Sequence, residues 1–223
     1  MNWDSFLAYP IEDLPFVALV LIISFTVHEF AHAYSAYKFG DNTPKDMGRV
    51  TLNPRVHIDV LGAILILIAG FGWAKPVLVN SSRFKNPRLM GVIVSAVGPL
   101  SNLLLGVLGI VILLTLDSTG WMYAGSNGLN LAIERFLSYF IYLNFLLFIF
   151  NLIPLPPLDG YRIIQDLLPL NARIKMDQNV QWGVYIFLLL VFIPPLRRVT
   201  LDPILGWWVP LSHFFAKLFQ PLF

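Results

Sequence analysis

The chain has 223 residues, of which 57% are hydrophobic and 13% charged, with a formal net charge of +2 and no cysteine. So apolar a composition excludes an ordinary soluble domain and implies a polytopic membrane protein. The small charge gives no basis for nucleic-acid binding, and the missing cysteines exclude disulfides, thiolate metal ligands and a cysteine nucleophile.

Residues 1–15 form a short polar-aromatic lead. Trp3, Phe6 and Tyr9 suit a membrane interface, and Asp4, Glu12 and Asp13 lie outside it. No basic segment precedes the first apolar run, so no cleaved signal peptide is expected. A first span is predicted over about residues 14–39, roughly 39 Å of helix and enough to cross a bilayer with tilt. Its ionisable side chains are His28, Glu29 and His32, with Lys38 at the end.

Residues 47–87 do not read as a full crossing. Residues 49–54 look strand-like, 60–71 form an apolar run of re-entrant or interfacial length, and 76–80 read as a further strand. Backbone of this kind at membrane depth must be buried in protein or line a wet cavity, which makes the region a candidate active-site rim. Its histidine, His57, is either part of that rim or a structural interfacial residue.

A second span follows over about 89–116, with the small residues Gly98, Gly106 and Gly109 suited to close helix packing. Residues 117–130 read as a loop. A third span covers about 136–153, with Asn144 and Asn151 seven residues apart on similar faces. Three prolines then break the helix before Asp159. A fourth span is predicted over about 180–193, and the tail from 203 to 223 reads as interfacial or re-entrant, with His213 structural. The fold class expected is therefore an all-α polytopic membrane protein. It has about four to six transmembrane helices, a small re-entrant and strand region after the first helix, and a single domain over 1–223 (motif core 14–170, C-terminal span and tail 178–223). Lys and Arg concentrate in 38–88 and 160–178, which places those segments in the cytoplasm. Arg197 and Arg198 fall on the outer side in this scheme.

The chemistry centres on His28-Glu29-Phe30-Ala31-His32. At i and i+4 both imidazoles share a helix face and can grip one metal ion, with Glu29 positioned to act on its water. Ionisable groups inside a span are costly and by default functional. A catalytic zinc needs a third protein ligand. Asp159, in an apolar setting at the same end of the bundle, is the best candidate, the alternative being that it caps a helix beginning near Gly160.

His28-Glu29-Phe-Ala-His32, Gly98-Pro-Leu-Ser-Asn102 and Asn151-Leu-Ile-Pro154-Leu-Pro156-Pro-Leu-Asp159-Gly160 together resemble the three signatures of the site-2 protease family of intramembrane zinc metalloproteases. Residues 52–59 and 74–77 further resemble its compact prokaryotic branch, which lacks PDZ or CBS domains. The resemblance implies one Zn2+ per chain held by His28, His32 and Asp159, and Glu29 as general base. It also implies Asn102 and Asn151 as candidates for binding the substrate backbone or oxyanion. The implied setting is the cell membrane with the active site toward the cytoplasm, and the implied partners are single-span membrane proteins or signal-peptide remnants. Tyr161 stands where the family commonly has a second glycine. The competing reading is a metal-ion or proton-coupled transporter using His28, His32 and Asp159, in which Glu29 would have no water to activate; a catalytically silent scaffold is a third.

Overall fold

The structure is a computed structural model and describes residues 7–223. The interfacial reading of Trp3, Asp4 and Phe6 lies outside the described residues. The described chain is helical: α1 (Leu14–Lys38), α2 (Thr43–Asp46), α3 (Val60–Ala69), α4 (Pro87–Ser118), α5 (Trp121–Ala124), α6 (Asn127–Asn151), α7 (Asp159–Leu167), α8 (Leu170–Gln178), α9 (Val180–Phe192), α10 (Pro194–Val199), α11 (Leu201–Leu205) and α12 (Trp208–Phe219).

Among the described residues, three helices are long and apolar enough to cross a membrane: α1, α4 and α6, of 25, 32 and 25 residues. The sequence reading of the first two spans agrees with α1 and α4 to within a few residues. The third differs, because α6 begins at residue 127 instead of about 136. There Ser126 accepts the amide of Leu129 and starts the helix, inside a stretch whose Gly and Asn content reads as loop. The expected fourth span corresponds to α9, whose 13 residues extend about 20 Å, short of a bilayer core.

α4 organises the bundle through a row of glycines on one face. A Cβ on Gly106 would press on the Phe145 ring and one on Gly109 on Phe140, both rings belonging to α6. Phe145 is fully buried as a result. Without a hydrophobic difference between lipid and helix, this close packing is what holds the two helices together. The same face receives α1 at Gly98 and α7 at Gly91. At the N-terminal side, Arg135 on α6 pairs with Asp13 at 2.8 Å and Glu12 at 3.4 Å, which anchors the start of α1.

The strands expected at 49–54 and 76–80 are not formed, and among the described residues there is no strand. Buried side chains satisfy the backbone in place of a ladder. The Arg49 guanidinium donates to the carbonyls of Val56 and Lys75, and His57 donates through Nε2 to the carbonyl of Thr51 at 2.7 Å. The rest of the region forms a hairpin: α3, started by the Asp59 carboxylate on the Gly62 amide at 2.9 Å, and the irregular segment 71–80, which packs back against α3 at Gly72 and Trp73. That approach needs glycine on both sides, since a Cβ on Gly62 would strike the Trp73 backbone and one on Gly72 the Gly62 carbonyl.

Candidate metal centre

His28 and His32 sit on the buried face of α1, where it meets α4. Three positions on α4, each one turn from the last, receive them. The Val94 carbonyl accepts from His32 Nδ1 at 2.6 Å, Gly98 leaves the space the rings occupy, and Asn102 Oδ1 accepts from His28 Nδ1 at 2.7 Å. A Cβ on Gly98 would lie 2.8 Å from His28 Nε2 and closer still to the His32 ring. The Gly98-Pro99-Leu100-Ser101-Asn102 signature is thus the imprint of two imidazoles on a neighbouring helix.

The network fixes its own polarity. The Asn102 amide group donates to Asn144 Oδ1 at 3.1 Å and to the Ser24 carbonyl at 3.4 Å, so its oxygen faces His28. Asn144 in turn donates to the Phe140 carbonyl at 2.8 Å. Both Nδ1 protons are therefore committed to oxygen acceptors, and a neutral imidazole so held presents a bare Nε2.

The two Nε2 atoms lie 3.0 Å apart, and Asp159 Oδ2 lies 3.2 Å from one and 3.3 Å from the other. Asp159 is the first residue of α7, whose cap position is Leu158, and its Oδ2 is buried without a hydrogen-bond partner. Three lone-pair donors converging on one point repel one another unless a cation lies between them. Two ligands about 2.0 Å from a tetrahedral zinc stand roughly 3.3 Å apart, so the donor set fits that ion. His28, His32 and Asp159 are the only set of three metal-ligating side chains within 4.8 Å of one another among the described residues.

Glu29 lines the same cavity, of about 380 Å3. Its Oε2 accepts the Val77 amide at 3.1 Å and lies 4.0 Å from Arg49 Nη2; Oε1 makes no hydrogen bond within the described protein. Arg49 is buried with 3% of its surface exposed, and by holding the carbonyls of Val56 and Lys75 it fixes the segment whose amide holds Glu29. The sequence gives Arg49 only as one of several loop cations. Asn144 likewise reads from sequence as a helix-face neighbour of Asn151, whereas it supports the histidines at one remove.

The remaining expected residues divide. Asn151 lines the cavity and donates to the Leu147 carbonyl at 2.9 Å. Asn102 does not reach the cavity, being fully buried behind His28, whose Nδ1 it holds. His57 is also fully buried, off the cavity wall; burial pulls its pKa below the ordinary imidazole value, and it ties the loop together from beneath the rim. His213 is exposed on α12. Gly160 has no room for a Cβ, which would meet the Leu152 carbonyl. Tyr161 next to it turns outward and donates to the Met176 carbonyl at 2.9 Å, so the departure from a double glycine leaves the site intact.

A histidine pair with a neighbouring glutamate, completed by a distant carboxylate between helices of membrane length, is the arrangement of a membrane-embedded zinc metalloprotease. Residues 16–194 match peptidase family M50, and the chain belongs to that family, the site-2 proteases. It is similar to YwhC of Bacillus subtilis (strain 168), a protein named as a candidate zinc metalloprotease, with 50% identity over 222 residues covering 98% of this chain and 99% of that protein. It is also similar to Rip2 of Mycolicibacterium smegmatis, named in the same way, with 29% identity over 219 residues covering 92% of this chain and 76% of the relative. Rip2 of Mycobacterium tuberculosis (strain H37Rv) is 28% identical over 203 residues, covering 88% of this chain and 74% of the relative. No solved structure matches the chain.

Proposed function

We propose that this chain is an intramembrane zinc metalloprotease that hydrolyses peptide bonds within or near the transmembrane segments of membrane proteins. His28, His32 and Asp159 hold one zinc per chain, and Glu29 is the general base. The observation that carries this reading is the convergence of two bare Nε2 atoms and an unpartnered buried carboxylate oxygen at 3.0–3.3 Å.

When bound, the ion supplies a Lewis acid that polarises the scissile carbonyl and lowers the pKa of its water toward neutrality. The protein groups do the rest. The Val77 amide holds Oε2 of Glu29 and leaves Oε1 to take a proton from the attacking water and return it to the leaving nitrogen. Asn151, on the cavity wall, offers an amide to the substrate backbone. Residues 77–79, half-buried, exposed and half-buried in turn and in no strand, offer backbone to which an unwound substrate segment pairs by strand addition. Crosslinking from Val77 or Val79 to a trapped substrate tests that pairing.

The chain forms a single domain in the cell membrane. The hairpin of α3 and residues 71–80 is the re-entrant element, and α9 with the tail contributes any crossing beyond the three long helices. The basic segments 38–88 and 160–178 put the metal centre toward the cytoplasm, and Arg197, on the opposite side, has its charge offset by Asp202 at 2.9 Å. Substrates are single-span proteins or signal-peptide remnants. The transport alternative draws support from neither the geometry nor the relatives. Cleavage of a single-span protein co-reconstituted with the parent chain, and its absence with Glu29→Gln, tests the reading; equal cleavage by both would refute it.

A further inference from the structure

α7 brings more charge to the cavity than metal binding needs. Asp159, Arg162, Gln165 and Asp166 recur at helical spacing on α7, and all four line the cavity that holds the histidines. Three of them are engaged within the protein. Asp159 faces the imidazoles, Gln165 donates to Asp177 at 2.5 Å, and Asp166 pairs with Arg173 at 3.3 Å.

Arg162 is the exception. It is exposed at the cavity mouth, and among the described residues it makes no hydrogen bond or ion pair. The nearby carboxylate is already taken: Asp166 pairs with Arg173 and is acted on by Arg162 and Arg88 as well, with Asp177 opposing them. The mouth of the cavity thus carries a planar donor fork with no protein acceptor in hydrogen-bond reach. Such a fork is shaped for a carboxylate.

Its position sets the register. Arg162 follows Asp159 by three residues, about 4.5 Å along the helix axis. An extended peptide advances about 3.3 Å per residue, so an arginine there reaches a side chain roughly one to three residues from the bond held at the metal centre.

We propose that Arg162, backed by Arg173, is a specificity determinant that recognises a carboxylate on the substrate within about three residues of the scissile bond, on the side that leaves the cavity past α7 and α8. The carboxylate belongs either to an internal Asp or Glu or to the chain end of a substrate already trimmed by another protease. This inference rests on the peptidase reading of the site.

The test uses the reconstituted full chain and a set of fluorogenic single-span peptides of one parent sequence. A single Glu, Gln or Lys is moved through six positions on each side of the cleavage point, and a second set ends in a free carboxylate or a carboxamide near that point. The measured quantity is the ratio of kcat/KM for Glu over Gln, and for acid over amide. The parent is expected to show a ratio of tenfold or more at one or two adjacent positions on one side only. Arg162→Gln is expected to bring that ratio near one, and Arg162→Glu to reverse it in favour of Lys. A preference confined to the free-carboxylate set assigns the group to a trimmed chain end; one in the internal set assigns it to a side chain. Parent ratios near one in both sets, or an acidic preference that survives in both Arg162 variants, would overturn the proposal while leaving the peptidase reading intact. Parent ratios near one decide against the proposal even if a variant does not fold. No cleavage of any peptide by the parent would instead sink the peptidase reading, and this inference with it.

Discussion

Replacing Asn102 by alanine removes the acceptor that holds His28. The bond is 2.7 Å long and both partners are buried, so the Nδ1 proton is left without its acceptor in a buried site. An unsatisfied buried donor costs about 1–3 kcal/mol. In the metal-free protein the imidazole escapes that cost by turning to another partner; to bind the ion it must turn back. The penalty therefore falls on affinity, at roughly 5- to 150-fold, in line with the 10–100-fold loss typical when a partner behind a metal ligand is removed. Competition against a fluorescent zinc chelator measures it, with thermal melting of the zinc-free forms to separate affinity from folding. Asn102→Asp retains an oxygen acceptor in the same place and is expected to bind within about tenfold of the parent. Equal zinc affinity in the parent and Asn102→Ala, or equal weakening in the Ala and Asp variants, would refute the assignment of Asn102 to ligand orientation.

Three further outcomes follow from the same structure. Gly98→Ala puts a methyl group where the imidazoles lie, so zinc content should fall more than in Asn102→Ala while helical circular dichroism is retained, alanine being the better helix former by about 1 kcal/mol. Arg49→Met abandons the carbonyls of Val56 and Lys75; losing bonds from a charged donor, worth about 1.5–3 kcal/mol each, should speed amide exchange over residues 54–57 and 73–79 by tenfold or more and lower kcat, with zinc content unchanged. Asp41 is fully buried; burial works to raise its pKa, but bonds from Thr43 and the Asn80 amide, with Arg83 nearby, outweigh it and hold the carboxyl below its ordinary value. Because the folded pKa is the lower one, its stabilisation is complete above the unfolded value and is lost as pH falls through the folded one. Asp41→Asn should lower the neutral melting temperature and flatten the acid limb of a melting-temperature profile.

The chemistry was easier to read from the chain than the packing that supports it. His28, Glu29 and His32 are local, and their spacing on one helix determines their geometry, while Asp159 stands out because an unpaired carboxylate in apolar surroundings requires a reason. Asn102 was legible as a position and not as a role: a polar residue in a span needs a partner, but only the packing of α1 on α4 shows that the partner is His28 and not a substrate. The strand reading around Arg49 and His57 was misleading for a related reason. Their long-range bonds to backbone carbonyls take the place of the strands that β-branched residues and turn signals imply, and no local pattern records that a side chain will do the work of a ladder. The early start of α6 was hidden because one capping serine outweighs the loop composition around it. Arg162 is the reverse case, an ordinary-looking cation whose interest lies in the lack of a hydrogen bond or ion pair within the described protein.

The most direct test of the central claim is the zinc content of the purified, detergent-solubilised chain beside its Asp159→Ala and Glu29→Gln variants. The account predicts one zinc per chain in the parent, the same in Glu29→Gln with proteolysis lost, and a strongly reduced content in Asp159→Ala. A well-folded parent that takes up no zinc, or an Asp159→Ala protein that holds it as tightly as the parent, would contradict it.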